Sequence, residues 1–153
     1  MEPVGGKVTR RFVVRTVNDG FLRLISLLSR AFDGDVLSGV IFLTLAHANT
    51  QHLTGPARDF HASVGVVPDD QRRPASIHSI SAFLGVPYET TRRHVNRLIE
   101  AGLCERRGGK GVVVPAAVVD GPIGNQITNN GYASFIATLS TLRRAGVDLN
   151  ALD

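Results

Sequence analysis

The sequence has no tryptophan, a single cysteine and few aromatic residues of any kind. With aromatics at 6% of 153 residues, a core has to be built mainly from Leu, Ile and Val. A lone Cys104 excludes an intrachain disulfide framework, which suits a reducing compartment. The N-terminus carries no charged segment followed by an apolar run and a small-residue cleavage site, so no secretory leader is read. Long apolar runs are also missing: VLSGVIFLTLAHA, Val36 to Ala48, is too short to span a bilayer. These absences give the expectation of a cytoplasmic protein with no membrane partner. The length suits a single domain over residues 1–153 with one substantial core.

Signatures of catalysis and of bound cofactors are absent too. There is no nucleophile elbow, paired-carboxylate helix or dinucleotide fingerprint. GGKG (Gly108 to Gly111) lacks the spacing and the following Ser/Thr of a phosphate-binding loop, so it reads as a turn. His47, His52, His61, His78 and His94 lack metal-ligand spacing; His47 and His52 are five apart and fall on different helix faces. The expectation is a non-enzyme with no metal and no cofactor. Cys104 is expected to be a small buried hydrophobe.

Charge, in contrast, is plentiful and uneven. Between Arg72 and Lys110 eight basic side chains face three acidic ones, net +5, while the rest of the chain has nine against ten. A clustered basic segment is the electrostatic footprint of a nucleic-acid binder, although a solvated basic face has the same composition.

Along the chain, MEPVGGK reads as a loose tail and Val8 to Val17 as a strand or extended arm. Asn18 or Asp19 caps a helix to Phe32, with Phe21, Leu24, Leu28 and Phe32 on one stripe. Asp33 to Asp35 breaks it and caps a second helix, Val36 to His52, apolar on most faces and therefore buried. Residues 53–74 read as a long loop. A third helix from Ser76 stops at Gly85, and a fourth runs from Tyr88 or Glu89 to Ala101 and stops at Gly102. LCERRGGKGVVVP gives a β-hairpin with Lys110 at its tip. After a Gly/Pro/Asn-rich stretch from Asp120 to Gly131, a last helix covers Tyr132 to Ala145.

Helix, tight turn, helix and basic hairpin, in that order, make a winged helix-turn-helix over residues 74–115. Thr91, Val95, Leu98 and Ile99 form one inward stripe, against which Ile80, Phe83 and Leu84 are expected to pack. The opposite face presents Tyr88, Glu89, Thr90, Arg92, Arg93, Asn96 and Arg97. Arg bonds guanine O6 and N7 bidentately, and Asn does the same with adenine. Arg106, Arg107 and Lys110 on the hairpin would meet flanking phosphates, which position a protein without specifying sequence.

SIHSISAFLGVPYETTRRHVNRLIEAGLCERRGGKGVVV resembles the winged helix-turn-helix segment of bacterial regulators such as the MarR, GntR and IclR groups. The shared pattern is an apolar helix, LG, a short turn, T-x-x-R-x-V-x-x-L, then GL and a wing, over about 40 of 153 residues. The resemblance implies a mainly α fold with a small β-hairpin wing, Tyr88 to Arg97 as recognition helix and Arg106 to Lys110 as wing. Thr91 stands where such proteins usually place an aliphatic residue, which implies looser packing there. The flanking helices, in residues 8–52 and 131–146, resemble the MarR arrangement, in which terminal helices dimerise.

The expected function is sequence-specific binding of double-stranded DNA by a homodimeric transcriptional regulator, with two recognition helices about 34 Å apart. The alternative is a winged-helix module whose arginines meet an acidic protein. A small-molecule effector between the DNA module and the helices of residues 21–52 is a further open partner. The same apolar helices could instead complete a monomeric core.

Overall fold

A computed structural model describes residues 3–4 and 8–150. The described chain is mainly helical with a three-stranded antiparallel sheet. In order, the elements are β1 (Pro3–Val4), β2 (Val8–Thr9), α1 (Arg10–Ala31), α2 (Val36–Ala48), α3 (Pro56–Val64), a 3-10 turn (Asp69–Gln71), β3 (Ala75–Ser76), α4 (Ile77–Leu84), α5 (Tyr88–Glu100), β4 (Glu105–Arg107), β5 (Gly111–Val113), α6 (Ala116–Val119) and α7 (Pro122–Arg144). Among the described residues, no single helix is long and apolar enough to cross a membrane.

The centre of the molecule is α2. Asp35 caps its N-terminus by accepting from the Ser38 amide at 3.1 Å, the arrangement that satisfies an otherwise orphaned donor. Apolar side chains lie on most of its faces, and only His47 is exposed: Ile41, Phe42 and Leu45 are buried against Leu28 and Phe32 of the α1 end, Ile77 and Ile80 of α4, Val95 and Leu98 of α5, and Val112 and Val114. Phe32 and Phe42 stack at a tilt, centroids 5.5 Å apart. Each fully buried aliphatic side chain contributes about 1.5–3 kcal/mol.

The helix stops at Ala48, earlier than the expected His52, because Asn49 is drawn into the sheet. Its side chain is wholly buried. The amide donates to the carbonyls of Arg73 (2.8 Å) and Val112 (3.1 Å), and its oxygen accepts from the Val114 amide (2.9 Å). The hairpin β4–β5 pairs Arg106 with Val112 and Arg107 with Gly111. β3, unforeseen because two residues carry no pattern, adds on the other side of β5.

α4, α5 and the turn between them are built by the expected local chemistry. Ser76 caps α4, and Gly85 ends it at φ +65°, a left-handed conformation that only glycine adopts without strain. The Ser81 hydroxyl donates to the Val86 carbonyl at 2.6 Å and holds the turn. Thr91, Val95 and Leu98 are buried, with Ile99 packed beside them. Thr91 introduces no looseness: it is fully buried, and its hydroxyl donates to the Pro87 carbonyl at 3.1 Å. Phe83 departs from expectation, being 77% exposed; Ile77, Ile80 and Leu84 supply the α4 side of the core.

Three stretches differ from the sequence-based expectation. Val8 to Val17 is no extended arm: only Val8–Thr9 is strand, and α1 begins at Arg10, capped by Thr9 accepting from the Phe12 amide at 3.2 Å. Its β-branched residues favour strand locally, yet packing of Val8 and Val13 against Leu142, Ala145 and Val147 overrides that preference. Residues 53–74 contain α3 and the 3-10 turn, with Pro56 opening the helix. Asp120 to Gly131 is largely the first half of α7; there too a proline, Pro122, starts the helix where composition suggested a loop. Of the expected tail, Pro3–Val4 pairs with Val8–Thr9, and the rest lies outside the described residues.

α1 and α7 run antiparallel and close together. A Cβ at Gly20 would stand 2.4 Å from the Thr138 hydroxyl, so glycine is what permits the approach. The stripes expected to be core are split along their length. Leu28 and Phe32 are buried, whereas Phe21 is 57% and Phe135 61% exposed.

Asn49→Ala removes the acceptor of the buried Val114 amide and the donor to the Arg73 and Val112 carbonyls. We expect a loss of about 3 kcal/mol, within the range for buried groups left unsatisfied, read from urea unfolding followed by circular dichroism. An unchanged midpoint would show that Asn49 does not pin α2 to the sheet.

Candidate nucleic-acid interface

α5 is strongly two-sided. With Thr91, Val95 and Leu98 facing the core, Tyr88, Glu89, Arg93 and Arg97 are exposed, and Thr90, Arg92 and Asn96 are half-buried at the edges. The hairpin is joined to this edge directly: Arg106 donates to the Asn96 side-chain oxygen at 3.0 Å. Strand alternation sends Arg107 the other way. It meets Glu105 and donates to the Asp69 carbonyl at 3.3 Å, so it braces the hairpin against the 3-10 turn. Lys110 is exposed in the turn. Seven of the ten expected residues thus lie on the outer side of α5, Arg106 joins them through Asn96, Lys110 is exposed in the hairpin turn, and Arg107 stands apart.

The basic edge is partly self-neutralised. Glu89 takes Arg92 bidentately at 2.9 and 2.5 Å, with Arg93 at 3.8 Å. Hydrogen bonding from Arg92 is the main cause that holds the Glu89 carboxyl below its ordinary value, and the same pair raises Arg92. Arg97 reaches Asp35 at 3.5 Å. Four arginines (Arg92, Arg93, Arg97, Arg106) therefore face Glu89 and Asp35, leaving two positive charges. Exposed ion pairs of this kind are worth about 0–1 kcal/mol, so exchanging them for a stronger anion costs little.

Arg72, counted with the basic segment from sequence, is not on this surface. Its side chain is buried and donates to the Val67 carbonyl at 2.9 Å, with Asp69 at 3.9 Å. Burial lowers its guanidinium pKa, partly offset by Asp69.

A cluster that the sequence did not disclose sets the angle of α5. His94 Nδ1 lies 2.9 Å from Ser38 Oγ and 3.2 Å from Asp35, while the Ser38 hydroxyl donates to Asp35 at 2.7 Å. Since that hydroxyl's proton is given to Asp35, His94 Nδ1 is the donor in this network. One carboxylate thus caps α2 and grips both His94 and Arg97 of α5. Asp35 and Ser38 are recognisable in the sequence as a cap, but nothing there connects them to a helix more than fifty residues on. Both groups lie on the same ring nitrogen, so the trio is not a nucleophile–base relay.

Burial pulls the Asp35 pKa up, but hydrogen bonds from Ser38 and the charges of His94 and Arg97 outweigh it and hold it below 3.8. Cys104 is buried, and its thiol is pushed up to about 12 by desolvation; it is a core group, as expected. Among the described residues no group of three or more His, Cys, Asp or Glu is placed to hold a metal ion; the His61 side chain lies outside the described set.

A carboxylate held below its ordinary value stabilises the fold above that value and loses the contribution as pH falls through the folded one. Asp35→Asn keeps a capping oxygen but removes the charge that faces His94 and Arg97, and should therefore cost about 0.5–1 kcal/mol at neutral pH. The gap from the wild type should close below pH 3.8. Urea midpoints across that range check this, and a gap independent of pH would contradict it. Searches against protein-family models, curated proteins and solved structures find no match to the chain.

Proposed function

We propose that the chain binds double-stranded DNA in a sequence-specific manner as a transcriptional regulator. In this reading α4, α5 and the hairpin act as a winged helix-turn-helix, with α5 in the major groove and the hairpin on the flanking backbone. The observation that carries the reading is the joined edge of α5 and β4. Arg92, Arg93, Asn96 and Arg97 have no place in the core, and the Arg106–Asn96 contact makes helix and hairpin one surface.

The chemistry suits a duplex. Arg93 and Arg97 are long, exposed and bidentate-capable, matching guanine edges or phosphates, and Asn96 matches adenine. Asn96 holds Arg106 in the free protein, so a base edge and a phosphate would take over the two halves of that contact. Glu89 keeps Arg92 extended and repels phosphate, leaving the arginine to choose a base or a backbone oxygen when the pair opens. The hairpin's Lys110 and Arg106 add sequence-independent attraction.

A second reading draws on Phe83, 77% exposed on α4: an exposed phenyl beside a basic helix also suits an acidic protein partner. The two readings differ in salt dependence and in sequence preference.

Titration of labelled duplexes at two salt concentrations tests the DNA reading. Affinity should fall with a log–log slope of about −0.9 per phosphate contacted. Arg106→Ala should weaken binding to all sequences and reduce the slope by about one. Arg93→Ala should weaken binding without moving the thermal transition, because it lies off the buried stripe. Binding that is absent, or insensitive to salt, would sink the reading.

A further inference from the structure

Glu89 and Arg92 leave α5 as one unit. Glu89 stands in the first turn and Arg92 three residues on, so the two are neighbours on the helix surface. Arg92 donates from Nε to one carboxylate oxygen at 2.9 Å and from a terminal nitrogen to the other at 2.5 Å. Both side chains are open to solvent, 54% for Glu89 and 41% for Arg92. Neither enters the core, since the buried side of α5 is Thr91, Val95 and Leu98.

The closed pair keeps unused bonding capacity, and the pattern of it is fixed. A guanidinium has five N–H donors; two go to Glu89, which leaves three, including the outer fork of the two terminal nitrogens. A carboxylate has about four acceptor sites, of which Arg92 takes two. Hydrogen bonding from Arg92 holds the Glu89 carboxyl below its ordinary value, so at neutral pH it only accepts. The bidentate contact keeps both groups close to one plane. Read across that plane, the pair offers an acceptor followed by two donors.

In the major groove a C·G pair shows the complement, the cytosine N4 donor followed by the guanine O6 and N7 acceptors. An A·T pair does not. Its one donor, adenine N6, lies between the acceptors adenine N7 and thymine O4. A carboxylate placed on N6 therefore leaves the guanidinium one acceptor on either side instead of two together. A phosphate presents acceptors only, so it repels Glu89 and gives it nothing to accept.

We propose that the closed Glu89–Arg92 pair reads a single C·G base pair, Glu89 accepting from cytosine N4 and Arg92 donating to guanine O6 and N7. The assignment rests on the DNA reading above and adds to it a base and a role.

Glu89 is then a specificity-determining residue. Its charge weakens attachment of α5 to any backbone, and a cytosine in the right place compensates for the loss. Selectivity comes from penalising wrong sites as well as from favouring the right one. Without Glu89, Arg92 is free to swing to a phosphate, a contact that positions the protein and carries no sequence information. Arg93, 3.8 Å from the same carboxylate, stays with the pair and adds attraction beside it. Glu89 also has a structural use: Pro87 gives α5 no side-chain cap, and an acidic side chain in the first turn favours the helix dipole. The two roles have different readouts, a base preference for one and a melting temperature for the other.

Selection from a random-sequence duplex pool is run on the wild type and on Glu89→Gln, with thermal transitions recorded in parallel. The wild-type consensus should hold one fixed C·G pair. In Glu89→Gln that position should relax or turn to adenine, whose N6 and N7 suit Gln, while the other positions persist. In direct titration, exchanging that C·G for T·A should weaken the wild type about tenfold and the variant less than about threefold. Random duplex should bind the variant more tightly than the wild type. Arg92→Ala should relax the same base pair, and it serves where Glu89→Gln lowers the thermal transition. A wild type that enriches no sequence removes the DNA reading and the base assignment with it. A wild-type consensus that survives at every position in both variants overturns the base assignment alone.

Discussion

The Asn49 side chain, wholly buried, is the tie on which the rest of this structure depends. Three hydrogen bonds from one amide join the end of α2 to Arg73, Val112 and Val114. That junction sets β5 beside α2, and β5 carries β3 on one side and β4 on the other. At the far end of α2, Asp35 plays the matching part by capping its own helix and holding His94 and Arg97 of α5. Between these two polar ties the helix is enclosed by aliphatic side chains, which supply attraction but little direction. The hydrogen bonds provide the direction, and so decide that the polar edge of α5 and the exposed side of β4 form one surface.

That surface is preorganised but not saturated. Glu89 holds Arg92 and Arg93, and Asn96 holds Arg106, all through exposed contacts of small net worth. The side chains are thereby kept extended over the edge at little cost to their release. On the proposed reading a polyanion would meet arginines already ordered, which lowers the entropic cost of association. The buried Arg72 and the bracing Arg107 show the reverse case, basic residues whose position is set by the fold's own needs.

The segment from Ser76 to Pro115 was legible because local and tertiary demands agree there. The 3.6-residue spacing of Thr91, Val95 and Leu98, the left-handed Gly85 and the Gly-rich hairpin turn all specify the same arrangement. Where they disagree, composition misleads. Val13, Val14 and Val17 favour strand in isolation but lie in a helix that packs on α7. Pro122, Gly124 and the asparagines after it suggest a loop, yet Pro122 occupies a helix's first turn and Asn125 and Asn130 bond back to carbonyls one turn earlier. Nor could any spacing rule connect Asp35 with His94, since only the packing of α2 on α5 makes them neighbours.

Selection from a random-sequence pool of double-stranded DNA asks whether the edge formed by α5 and the hairpin reads base sequence, as we propose. Repeated rounds at moderate salt should enrich a short consensus containing guanine and adenine at fixed positions, the bases that Arg and Asn side chains read in the major groove. A pool that stays random after selection, with retention lost as salt is raised, would contradict it.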